Sequence, residues 1–229
     1  MILRLDRFLS EAGVASRREL KTIFRSGRVI VNGSIIRNPE TKINSDEVSV
    51  SIDGKPVYMQ GRVVLMLNKP AGYVTSTNDP KERTVMELLP QEYRELFPIG
   101  RLDKETEGLL LFTNDGDLGH RIISPRHNVE KEYFAVTEGQ VDDSDVAAFA
   151  EGILLRDGTE CLPAELRPAE NSCNIVIREG KYHQVRRMLA SRGKPVIYLR
   201  RIRVGSLTLD GLQIGQWRML THEEIGNLL

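Results

Sequence analysis

The sequence predicts an α+β protein in two parts: a small amino-terminal helix–helix–hairpin unit, and a larger unit on a mixed, mainly antiparallel sheet with flanking helices. Three observations support this. The first sixty residues run two helical patterns into a hairpin signal. Beyond them, short apolar strand patterns dominate and helices are interspersed without a regular βαβ repeat. At 229 residues the chain is long enough for two cores.

From Arg4 to Ala12, apolar Leu5, Phe8, Leu9 and Ala12 share one helical face, and Gly13 ends the pattern. Ser16-Arg17-Arg18-Glu19 has capping-box spacing and opens a second helix that stops at Gly27. There Leu20, Ile23 and Phe24 face a core, while Arg17, Lys21 and Arg25, four apart, stack into a basic stripe with Arg18 beside it. Asn32-Gly33 between Arg28–Val31 and Ser34–Ile36 is a strong hairpin signal, because a type I′ turn needs positive φ at both positions. A strand is expected over Glu47–Ile52, and a linker over residues 58–62 separates the units 1–57 and 63–229.

Val63–Leu67 reads as a strand buried on both faces, ending in the turn Asn68-Lys69-Pro70-Ala71-Gly72-Tyr73. Tyr133–Thr137 and Asn174–Arg178 read as strands. Asp142–Glu151 reads as a helix with acids in its first turn, as the helix dipole favours. His183–Arg192 is a helix closed by Gly193, with Val185, Met188 and Leu189 on its core face. Arg201–Val204 alternates as a half-buried strand, and the change of parity across Gly205-Ser206 suggests a bulge.

No apolar run approaches the roughly 20 residues that span a bilayer, and the first residues do not form a signal peptide. Cys161 and Cys173 make no disulfide framework and suit a reducing cytoplasm. Four scattered histidines argue against a metal site. Net charge is zero, but it is unevenly spread. Residues 1–45 hold nine Lys/Arg against four Asp/Glu. Residues 176–203 hold nine against one, and residues 138–165 hold one against eight. A polyanion responds to charge within about 10 Å, so these patches matter more than the sum.

Asp103 is the first candidate for chemistry. It stands between an arginine-led turn and the apolar run Leu109–Phe112, where a carboxylate is held on a rigid element; the same residue type also starts ordinary turns. Lys181 is the natural opposite charge, Lys69 would serve as well, and spacing does not choose between them. Tyr133 offers a face for stacking a base and a hydroxyl for proton transfer, or a core aromatic. Arg101 would hold an extruded nucleotide or a phosphate. His120, His127 and His183 read as structural hydrogen bonders. Glu105 or Glu107 would be needed for a two-carboxylate glycosidase, at a separation that spacing does not reveal.

Four blocks then carry a resemblance: Leu67-Asn68-Lys69-Pro70-Ala71-Gly72; Gly100-Arg101-Leu102-Asp103 through Thr113-Asn114-Asp115-Gly116; Lys131-Glu132-Tyr133; and Glu179-Gly180-Lys181-Tyr182-His183-Gln184-Val185-Arg186-Arg187-Met188. In order and spacing they resemble the pseudouridine synthases, specifically the ribosomal small-subunit synthase A family and its large-subunit relatives. The first 57 residues resemble the S4 RNA-binding domain.

The resemblance implies cofactor-free isomerisation of uridine in ribosomal RNA by a flipped-base route. It implies Asp103 as the catalytic carboxylate, Tyr133 as the stacking residue and Lys181 as the partner of Asp103. RNA contacts are expected from Arg101, Arg17, Arg18, Lys21, Arg25, Lys69, Arg186 and Arg187. Ser76-Thr77-Asn78-Asp79-Pro80 and Ser124-Pro125-Arg126-His127 resemble the small-subunit branch, which points to 16S rRNA (uridine-516 type specificity) rather than 23S rRNA. The expected partner is rRNA, free or in a small-subunit assembly intermediate, bound by a monomer with no metal and no membrane. The rival reading is a non-catalytic RNA-binding assembly factor.

Overall fold

Strand β1 (Ile2–Arg4) runs directly into α1 (Leu5–Glu11), whose Leu5, Phe8 and Leu9 are buried at the i, i+3, i+4 spacing. The computed structural model describes residues 2–45, 48–57 and 62–228, without the side chains of Arg17 and His222. The chain divides into two units, residues 1–62 and 63–229. In the first, Ser16 opens α2 (Arg17–Arg25): its Oγ accepts from Glu19 N, and the Glu19 carboxylate accepts from Ser16 N at 2.9 Å. Leu20 and Phe24 from α2 join the core of α1.

Strands β2 (Val29–Val31) and β3 (Ser34–Ile35) form the hairpin, with Asn32 at φ 47° and Gly33 at φ 80°. Strand β4 (Lys42–Asn44) pairs with β1, an element too short for its pattern to announce. A second turn of the same kind, Asp53-Gly54, joins β5 (Val50–Ile52) to β6 (Lys55–Val57), giving the order β3-β2-β5-β6. Position 47 of the expected strand and 58–61 of the expected linker lie outside the described residues.

The second unit opens with β7 (Val64–Lys69), followed by β8 (Phe97–Ile99), β9 (Glu107–Thr113), α3 (Gly116–Ile123), β10 (Lys131–Thr137) and α4 (Asp143–Glu151), which Asp142 caps. Then come β11 (Ile153–Leu154), β12 (Glu160–Cys161), β13 (Glu165–Ala169), β14 (Ser172–Ile177) and α5 (Gln184–Ser191). The chain finishes with β15 (Val196–Val204), β16 (Leu207–Thr208), β17 (Trp217–Met219) and α6 (His222–Gly226). The main sheet has the order β13-β14-β10-β15-β9-β7-β17, with β16 on β15 and β8 on β9. Only the β9–β15 pairing in it is parallel.

Helices cover both faces of this sheet, which is why β7 and β9 are continuously apolar. Leu65, Leu67, Leu110 and Phe112 enter one core with Phe149, Met188 and Leu189. Val64, Met66, Leu109 and Leu111 enter the other with Leu118 and Ile122. Cys161 and Cys173 are both buried, and burial pushes the Cys173 thiol up to about 11.

The expected bulge at Gly205-Ser206 is a tight turn instead: Val204 pairs with Leu207 across it. A bulge does occur in β15, earlier. Glu132 pairs with Arg203 and Tyr133 with Arg201, so Ile202 is the extra residue.

The parallel contact is short, Glu107 to Arg200 and Gly108 to Arg201. Gly108 has φ 104°, and a Cβ there would lie 2.1 Å from the Arg201 carbonyl oxygen, a rigid neighbour. Gly108→Ala is therefore expected to destabilise the second unit by about 3 kcal/mol or more, read as a loss of thermal and urea stability. Gly116→Ala, with open space around it, is expected to change stability by less than about 1 kcal/mol.

Candidate active site

The segment between β8 and β9 carries Asp103, and two buried side chains fix its backbone. Thr75 Oγ1 accepts from Leu102 N at 3.1 Å and donates to Leu102 O at 2.6 Å. Lys69, at the end of β7, is fully buried, and its ammonium donates to four carbonyl oxygens: Pro70 (3.0 Å), Asp103 (3.2 Å), Lys104 (3.1 Å) and Thr106 (2.8 Å). Thr106 N closes the turn onto Asp103 O at 3.0 Å. Burial pushes the Lys69 amine down to about 8, against the opposing pull of Glu105, Glu107 and Asp103. Lys69 is thus no RNA contact: it sits inside the fold as the clamp of the Asp103 turn.

The Asp103 carboxylate is half-buried and faces α5. His183 Nε2 lies 3.3 Å from Oδ1, and Arg186 Nε lies 3.8 Å from Oδ2. His183 caps α5 in the left-handed conformation (φ 48°), and its ring stacks on exposed Tyr182 with centroids 3.8 Å apart. Arg186, three residues on, lies on the same helical face. Its Nη1 donates to Val196 O at 3.3 Å.

Lys181, the expected partner of Asp103, is engaged elsewhere. Its ammonium lies 2.8 Å from Glu179 Oε2 and donates to the Glu160 carbonyl. Glu179 is almost fully buried and also accepts from Leu162 N and Gln184 Nε2, at 2.9 and 2.7 Å. A carboxylate buried that deeply holds the nearest cation, so the cation that faces Asp103 is Arg186. Arg186, expected as an RNA contact, thus faces the Asp103 carboxylate. Arg187, also expected to contact RNA, pairs with Asp157 at 2.5 Å and donates to Tyr182 O.

Asp103, Glu179, Lys181, His183 and Arg186 line a cavity of about 120 Å³. Its floor includes Tyr133, 9% exposed, with the Arg201 guanidinium 6.0 Å from the ring centroid. Lys131, two residues before Tyr133, also lines it and donates to Ile122 O at 3.0 Å. Arg101 stands exposed at the cavity and makes no hydrogen bond or ion pair among the described residues. Glu107 turns away, its Oε2 accepting from Tyr198 OH at 2.6 Å, and neither His120 nor His127 lines the cavity. Glu105 and Glu107, the acids the two-carboxylate alternative calls on, do not line the cavity, and the cavity's other acid, Glu179, is held by Lys181 and Gln184. Among the described residues there is no cluster of His, Cys, Asp and Glu suited to a metal, and no helix long and apolar enough to cross a membrane.

In the first unit, Arg18, Lys21 and Arg25 are exposed on α2 and make no ion pair among the described residues; the Arg17 side chain lies outside the description. Sequence reading passed over Arg186 as partner of Asp103, and Lys131 and Arg201 as cavity residues. The i, i+3 spacing of His183 and Arg186, and the i, i+2 spacing of Lys131 and Tyr133 in a strand, were signals for two of them.

Residues 63–191 match the family model described as RNA pseudouridylate synthase, and residues 3–49 match the S4 domain. Ribosomal small subunit pseudouridine synthase A of Salmonella typhimurium is 43% identical, over 99% of this chain and all of that one. An uncharacterized RNA pseudouridine synthase of Bacillus subtilis is 38% identical over 97% of both chains. A crystal structure of a pseudouridylate synthase covers 99% of this chain and all of its own, with 35% identity and a TM-score of 0.72.

Lys69→Met keeps the apolar stem and removes the clamp. Pro70 O and Thr106 O then lose a buried donor, and the variant is expected to lose about 2–4 kcal/mol of stability in urea denaturation. An RNA contact, by contrast, would leave stability unchanged and weaken binding.

Proposed function

The chain belongs to the RNA pseudouridylate synthases that carry an amino-terminal S4 domain, and on that premise we propose that it isomerises one uridine of 16S rRNA to pseudouridine, with Asp103 as the catalytic carboxylate. The observation that carries this reading is the placing of Asp103: its backbone is clamped by Lys69 and Thr75, and its carboxylate faces a cavity that holds Tyr133. The small-subunit target is supported by the near full-length match to synthases whose names specify the small ribosomal subunit.

In this reading the target uridine leaves its stack and enters the cavity. Asp103 attacks ribose C1′, or assists departure of uracil as a glycal forms. The base turns and rejoins through C5 as the Asp103 carboxylate leaves C1′, or as the glycal regains its C2′ proton; the C5 proton leaves and N1 takes one. Arg186 orients the Asp103 carboxylate, the role first expected of Lys181. Tyr133 stacks on the base and helps remove the C5 proton, while Arg101 holds the extruded nucleotide. Residues 1–57 are the RNA-binding domain, 58–62 the linker and 63–229 the catalytic domain. Arg18, Lys21 and Arg25, with Arg17, track the phosphate backbone.

The test is a pseudouridine map of 16S and 23S rRNA, by carbodiimide adducts and primer extension, in cells lacking the gene and in cells carrying only Asp103→Ala. One 16S site is expected to be lost in both. A 23S site would move the substrate to the large subunit, and restoration by Asp103→Ala would remove the carboxylate's role. Arg186→Met is expected to slow turnover by about 100-fold or more, and Lys181→Met by less than about tenfold.

Replacing Arg18, Lys21 and Arg25 together by Ala is expected to flatten the slope of log affinity against log salt by about 2, at unchanged single-turnover rate. An unchanged slope would remove α2 from the RNA interface.

A further inference from the structure

Two buried cations line the cavity without a carboxylate partner among the described residues. Lys131 is 6% exposed and Arg201 is 5% exposed. Lys131 Nζ donates to the Ile122 carbonyl, and Arg201 Nε donates to the Leu109 carbonyl at 2.7 Å. Arg201 Nη1 reaches only the Tyr133 hydroxyl, at 3.5 Å. Of the other charges lining the cavity, Asp103 faces Arg186 and Glu179 holds Lys181, while Arg101 stands exposed to solvent at its edge.

Carboxylates are close by in sequence and are sent elsewhere. Glu130 pairs with Arg178 and Arg203, and Glu132 pairs with Arg167 and Arg203. The Ile202 bulge makes this division. In a regular strand Arg201 and Arg203 share a face. Here the extra residue sets Arg203 opposite Glu132 and Arg201 opposite Tyr133, on the other face. Burial and the nearby Arg201 push the Lys131 amine down to about 8. Unpaired buried charge is destabilising, so an arrangement that turns acids away from two cations is suited to an anion arriving in the cavity.

We propose that Lys131 and Arg201 are catalytic residues that stabilise the uracil anion formed when the glycosidic bond breaks. The inference rests on the pseudouridine synthase reading of this site. The N1–C1′ bond breaks with its electron pair passing to the base, where charge spreads over N1, O2 and O4. The base turns and C5 bonds to C1′ as the Asp103 carboxylate leaves that carbon, or as the glycal regains its C2′ proton; the C5 proton then leaves to solvent with the help of Tyr133, and N1 takes a proton. Nothing is oxidised or reduced. A backbone phosphate carries the same charge before and during reaction, so cations that held one would act on binding. Cations facing the base act on the rate, because the base is charged only after cleavage begins.

The experiment uses the full chain in excess over 16S and 23S transcripts carrying tritium at uridine C5, and follows tritium release. Lys131→Met and Arg201→Met are expected to lower the rate at saturating enzyme by about 100-fold or more, with half-saturation moved by less than about threefold. Lys131→Arg is expected to recover at least about tenfold over Lys131→Met. Lys131→Met is also expected to melt at or above the wild-type temperature, since it removes a buried unpaired charge.

The inference is overturned by a near-normal rate for Lys131→Met, by a loss confined to half-saturation, by no recovery with arginine, or by a marked drop in its melting temperature. If Arg201→Met does not fold, the Lys131 variants decide. Tritium release by the wild type establishes the underlying reading separately. If the wild type releases none from either transcript, that reading fails and the inference falls with it.

Discussion

The Lys69 ammonium, buried at the end of β7 and bonded to four carbonyl oxygens, is the interaction on which the site depends. A backbone turn inside a protein must satisfy its carbonyls, and here one cation gathers four of them, with Thr106 N and Gly72 N adding bonds to the Asp103 and Lys104 carbonyls. The carbonyls are thereby drawn inward, and the Asp103 side chain is left to face the cavity. Rigidity follows from the same cause: the Asp103 turn is tied to a strand buried on both faces, and Thr75 holds Leu102 next to it. A carboxylate that must meet a sugar carbon needs this kind of support.

Charge in the second unit is sorted by strand face and by burial. Net charge over the chain is zero, yet the cavity concentrates cations while Glu130 and Glu132 neutralise arginines outside it. The Ile202 bulge is the local device that separates Arg201 from Arg203. Sheet geometry therefore sets the electrostatics of the cavity, and composition alone gives no sign of it.

Features encoded by neighbouring residues were legible in the sequence. Ser16 and Glu19 announced a cap, Asn32-Gly33 a hairpin, and Val63–Leu67 a strand covered on both faces. Each depends on local backbone geometry or a fixed spacing, and the structure shows each within a residue or two. The mispairing of Lys181 came from long-range geometry. Only the folded chain brings Glu179 and the Glu160 carbonyl around Lys181, and only the left-handed His183 turns α5 so that Arg186 meets Asp103. Lys69 read as a surface cation because its four acceptors lie up to 37 positions away. The short strands β1 and β4 were missed because three residues carry too little pattern, and the Ile202 bulge because it is defined by the partner strand.

The central claim is that a clamped Asp103, paired with Arg186, meets the ribose of an extruded uridine. A crystal structure of the Asp103→Asn chain with an rRNA stem containing the mapped uridine tests it most directly. The account predicts the nucleotide in the cavity, its base against Tyr133 and its C1′ within about 3.5 Å of the residue 103 side chain, with Lys181 still on Glu179. A uridine left stacked in the RNA, or lodged with its ribose away from residue 103 while Lys181 has moved onto that side chain, would contradict it.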